Sequence, residues 1–76
     1  MDKHDMKSCV GLIEPFVGQE LAGGIRLDKA YPIKDPDGSW AIKIELTYEE
    51  AEMAINYTVK TVEGFNMVYD NYIKGY

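Results

Sequence analysis

Residues 47–76, TYEEAEMAINYTVKTVEGFNMVYDNYIKGY, decide how the chain is read. Ala51, Ile55, Thr58, Val62, Phe65, Tyr69, Tyr72 and Tyr76 recur in steps of four and three, the spacing of one helical face. Val59 and Ile73 widen that stripe on one side; Ala54, Thr61 and Val68 widen it on the other. Glu49, Glu52, Asn56, Lys60, Glu63, Asp70 and Lys74 fall on the opposite face, as in a helix lying on a core. Thr47 followed by Glu50 has the form of a capping box, and Glu49, Glu50 and Glu52 suit the positive end of a helix dipole. The pattern predicts one amphipathic helix over about 48–74.

Gly64 is the weak point, because glycine inside a helix costs roughly 1 kcal/mol relative to alanine. It either kinks the helix or ends it after Glu63. A rival reading exists for the same stretch. Ile55, Tyr57, Val59 and Thr61 also alternate with period two and are strand formers. A hairpin turning at Glu63-Gly64 would pair 57–62 with 65–69. Glu-Gly is a poor hairpin turn, since its first residue also needs positive φ. The cap and the four-three spacing favour helix.

Upstream, the clearest local signal is a β-hairpin of about 25–34 and 39–46. Ile25, Leu27, Tyr31 and Ile33 alternate with mostly polar neighbours, as do Trp40, Ile42, Ile44 and Leu46. Asp35-Pro36-Asp37-Gly38 between them is a turn: proline presets φ, aspartate caps locally and glycine accepts positive φ. Pairing Lys34 with Ser39 sets Ile33 opposite Trp40, Tyr31 opposite Ile42 and Leu27 opposite Leu46, which keeps the apolar sets on one face. Pro32 lacks a backbone donor and belongs on a sheet edge or at a bulge. In residues 9–22 an apolar cluster is interrupted by Gly11 and Pro15, which suits short helical pieces better than an added strand. Residues 1–7 are polar and expected to fray.

These pieces assemble into a single small α+β domain spanning 1–76: a hairpin packed on the C-terminal helix, with a short helical N-terminal segment. The expected core is Ile25, Leu27, Tyr31, Ile33, Trp40, Ile42, Ile44, Leu46, Ile55, Val62 and Phe65. A chain of 76 residues buries only about 60% of its unfolded surface, so association is a natural source of extra stability. Cys9 is the only cysteine and cannot form a disulfide within the chain.

Composition narrows function by exclusion. A net charge of −5 disfavours direct contact with nucleic acid or anionic lipid. No apolar run approaches the roughly 20 residues of a membrane span, and the charged N-terminus does not resemble a signal peptide. A soluble cytoplasmic protein is expected. Catalysis finds little footing. His4, the only histidine, lies among Asp2, Lys3 and Asp5 in the polar N-terminal stretch, and one imidazole does not make a metal site. Cys9 lacks a base and an orienting group, and reads as a small apolar side chain. Asp35, Asp37 and Gly38 begin like a calcium loop, but Trp40 and Leu46 stand where its glycine and glutamate belong. Gly23-Gly24 is a connector, since a strand rather than a helix follows it. Glu49, Glu50 and Glu52 read as a dipole-favoured cap rather than a catalytic pair. No enzyme activity, metal or cofactor is expected.

The tyrosines point toward binding. Tyr48, Tyr57, Tyr69, Tyr72 and Tyr76 all lie between residues 48 and 76, and tyrosine favours interfaces. A helix about 40 Å long would outrun strands about 25 Å long. Its end, with Phe65, Val68, Tyr69, Tyr72, Ile73 and Tyr76, would then overhang as a docking face. The leading expectation is a non-enzymatic protein-binding or regulatory module that self-associates, as a dimer, through this helix. The alternative is an acidic inhibitor, of the phage or mobile-element type, that occupies a basic nucleic-acid-binding surface of a target through Glu49, Glu50, Glu52, Glu63 and Asp70. A third reading is a small-molecule pocket between sheet and helix, lined by Trp40 and tyrosines.

Overall fold

A computed structural model describes residues 1–74. Helix α1 (Lys3–Ile13) is followed by β1 (Glu20–Leu21), β2 (Ile25–Lys34), β3 (Trp40–Tyr48) and β4 (Met53–Val59). Helix α2 (Val62–Val68) comes last and runs on as a wider π turn over Tyr69–Ile73. The strands form one antiparallel sheet in the order β1-β2-β3-β4. The protein is α+β, and its hairpin lies where the alternation places it.

The long helix is not there. The first half of the stretch is a strand, and helical geometry begins only at Val62. Thr47 does not cap a helix; it sits in β3, and its hydroxyl hydrogen-bonds the Asp28 carboxylate. The true cap is Thr61, whose Oγ1 accepts the Gly64 N–H at 3.0 Å. Gly64 therefore opens the helix rather than breaking it. A Cβ there would stand 3.1 Å from Thr61 Oγ1, so glycine leaves the cap unpressed.

The period-two signal of Ile55, Tyr57 and Val59 was the one that mattered. Its partner is β3, not residues 65–69: Ile42 lies opposite Val59, Ile44 opposite Tyr57 and Leu46 opposite Ile55. The physical reason lies in β3. Ile42, Ile44 and Leu46 are all but fully buried, and Ala41 on the other face is buried too. Such a strand is central and needs a neighbour on both sides.

The β2–β3 register also departs from expectation. Lys34 lies opposite Trp40, Ile33 opposite Ala41 and Pro32 opposite Ile42. Gly38 (φ 89°) follows the turn closed by its own N–H on the Asp35 carbonyl, and Asp35 N–H donates to Ser39 O at 2.8 Å. That is a three-residue loop with its last residue left-handed, one residue tighter than a Lys34–Ser39 closure allows. Tyr31 and Ile33 consequently point to the outer face, away from the core. A bulge at Asp28, between Leu27 and Lys29, then restores the phase, and Leu27 meets Leu46.

The core fills one side of the sheet. Met6, Cys9 and Ile13 of α1, spaced three and four apart, pack with Leu21, Leu27, Ile42, Ile44, Leu46 and Val59 and with Phe65, Val68 and Ile73. Helix α1 begins at Lys3, within the stretch read as a polar tail, because the Asp2 carboxylate accepts the Asp5 N–H at 2.8 Å. Pro15 sits in a short 3-10 turn that takes over after Ile13. Cys9 is 4% exposed; burial, with the nearby Asp5 charge second, pushes its thiol pKa up, as suits a sealed apolar side chain.

Candidate functional site

The sheet has two long borders. On the β2 side, Glu20 and Leu21 pair with Arg26 and Ile25, while Leu27 exchanges backbone hydrogen bonds with Gly18 and Gln19. Past that cover come the Asp28 bulge, Lys29, Pro32 and Lys34. On the β4 side nothing among the described residues pairs with the outward backbone of Met53–Val59. Its sequence, MAINYTV, holds no charge, proline or glycine, and its ladder to β3 runs through all seven residues without a shift.

A four-residue loop, Glu49–Glu52, presents this strand. Glu52 N–H reaches the Glu49 carbonyl at 3.3 Å, and Glu52 itself has φ 50°. Glu49 N–H donates to Gly24 O, and its carboxylate meets Arg26 Nη2 at 3.0 Å. Glu49 Oε1 is shielded from solvent, and that contact is ionic without hydrogen-bond geometry. Three acids that resemble a helix cap are thus the tip of a hairpin. Glu63 is exposed in the first turn of α2, past the other end of a strand about 20 Å long, and Asp70 is exposed in the π turn that follows α2. The five carboxylates are not carried on one helix.

Beside the loop, on the outer face, Arg26, Asp28, Thr47, Glu49 and Glu52 line an open concavity of about 310 Å³. It is the polar dish between the bulge and the hairpin tip. The expected pocket between sheet and helix is instead filled by the core, with Trp40, Tyr57, Tyr69 and Tyr72 packed against it. No group of three His, Cys, Asp or Glu side chains among the described residues gathers as a metal site would. The rest of the outer face carries Tyr31, Lys43 and Thr58 in one row and Lys29, Glu45 and Asn56 in the next. Partial desolvation, with the Glu45 charge and hydrogen bond second, pushes the Tyr31 phenol up.

The expected docking face on the C-terminal helix is turned inward. Phe65, Val68 and Ile73 are buried. Tyr69 stacks obliquely near Phe65, centroids 5.8 Å apart. The Tyr72 hydroxyl lies 2.7 Å from that of Tyr57, with the rings 5.7 Å apart. That hydrogen bond, and burial after it, pushes the Tyr72 pKa up. Tyr76 lies outside the described residues. The overhang that motivated a helix-borne interface is absent, because β4 broadens the sheet beneath α2 and the helical part starts later. What the helical pattern concealed is the β4 edge; the signal that exposes it is the uncharged run 53–59 itself.

The fold and its open border define a small α+β domain: an antiparallel meander with both helices on one side. Compared with known proteins, the chain matches no family model, no curated protein and no solved structure. No helix among the described residues is long and apolar enough to cross a membrane.

Proposed function

We propose that the chain is a protein-binding module that takes its partner by strand addition along β4, in a reducing, cytoplasmic setting that suits its single unpaired cysteine. The observation that carries this reading is the contrast between the borders. An uncharged, unbulged seven-residue edge is a template for another strand, and proteins ordinarily blunt such an edge with charge, proline or a bulge. Here β2 has all three devices and β4 has none. A binding role also suits the chemistry elsewhere. His4 is exposed on α1, Cys9 is sealed, and in the concavity Arg26 is taken up by Glu49.

The test is site-directed photocrosslinking in the cells that make the protein. A benzophenone side chain at Asn56, on the open edge, is expected to give covalent protein adducts. The same group at Lys29, on the guarded edge, is expected to give few. Equal labelling at both positions, or none at Asn56, overturns the proposal.

A further inference from the structure

We propose that the strand added to β4 is β4 of a second copy, joined antiparallel about a two-fold axis through Asn56, so that two four-stranded sheets become one of eight strands. This rests on reading β4 as a binding edge.

The geometry narrows the register sharply. Two copies pairing antiparallel at one edge are related by an axis perpendicular to the sheet, so their helix-covered faces lie on the same side. Opposed residues must then share a face, and only every second register is allowed. Centring on Ile55 or Tyr57 pairs five strand residues and drives the ends of β4 against the turn or the helix entry. Centring on Asn56 is the one allowed register that pairs all seven residues of Met53–Val59 with their own copies.

That register is also chemically matched. On the core side it sets Ile55 opposite Tyr57 and Met53 opposite Val59, each twice, the apolar and aromatic pairs that sheets favour. Met53 is 53% exposed in the single chain and would gain cover. On the outer side Ala54 meets Thr58, and Asn56 meets Asn56, whose amide can both donate and accept. Just beyond the strand, Glu52 falls opposite Lys60 at both ends, and both are exposed. A chain of net charge −5 repels its copy, yet this seam carries no charge within the strand and opposite charges at its limits. The interface is isologous, as a two-fold requires.

The experiment is sedimentation equilibrium of the intact chain from micromolar to millimolar concentration. A species of twice 8.6 kDa is expected. Asn56→Lys sets two ammonium groups against each other on the axis and is expected to weaken dimerisation by about tenfold or more. Glu52→Lys and Lys60→Glu should each weaken it several-fold, and the double exchange Glu52→Lys/Lys60→Glu should restore it. The exchange is specific to this register and does not depend on Asn56→Lys remaining folded. A monomer throughout, or a dimer indifferent to the charge exchange, overturns self-pairing. A monomer whose Asn56 benzophenone still labels other proteins leaves β4 as a binding edge and removes only the second copy.

Discussion

The two borders of this sheet are built from the same polypeptide under opposite rules. Along β2, the pair Glu20–Leu21, a bulge at Asp28, two lysines and Pro32 each spoil the edge as a template. Along β4, seven residues continue the ladder without interruption and offer their outer backbone to water. The difference teaches that edge protection is local. A small domain can spend several residues blunting one border and leave the other fit for pairing.

That contrast can be broken most severely from the guarded side. Deleting Asp28 removes the bulge and forces either Lys29–Lys34 or Leu27 onto the wrong face, at a cost of roughly 3 kcal/mol. Urea unfolding should show it as a lower midpoint. On the loop that presents β4, Glu52 holds a left-handed conformation that disfavours any side chain. Glu52→Gly should raise the stability of the single chain by about 1 kcal/mol in the same assay, while removing the carboxylate that faces Lys60 across the two-fold.

Smaller effects are expected where α2 touches β4. Tyr72→Phe deletes the hydroxyl bonded to Tyr57 and should cost about 0.5–1 kcal/mol near neutral pH. The folded state raises the Tyr72 pKa above 10.0, so it favours the neutral phenol. That contribution is whole below about pH 10 and fades as pH climbs through the raised value. Stability measured across pH 9–12 should therefore fall less steeply in Tyr72→Phe than in the parent chain. Last, Pro32→Val restores a backbone donor to the β2 border. Its effect on stability should stay within about 0.5 kcal/mol, while light scattering should reveal assemblies larger than the parent forms. An unchanged size distribution would mean that Pro32 is not one of the guards.

Much of this arrangement is legible in the sequence. The turn residues Asp35–Gly38 and the alternation of Trp40–Leu46 located the hairpin, because both signals are local. The register was less so. It depends on Gly38 taking the left-handed position of a three-residue loop and on Asp28 bulging, and the two shifts cancel only at Leu27. The helix misread at 48–61 has a different cause. Glu49–Glu52 turns the chain without glycine, proline or asparagine, so nothing in its composition announces a reversal. Residues 51–62 satisfy both periodicities, and what decides between them is tertiary: β3 is too buried to be an edge. The candidate site suffered with it. Phe65, Val68 and Ile73 carry the apolar character expected of them but spend it inside the chain, and the border that replaced them became visible only once β4 was a strand.

Cys9 gives the molecule a built-in stopwatch. It is the sole sulfhydryl, it sits on the buried face of α1, and both burial and Asp5 disfavour its thiolate. A disulfide reagent can capture it only while α1 has swung off the sheet, so the labelling rate counts those excursions one by one.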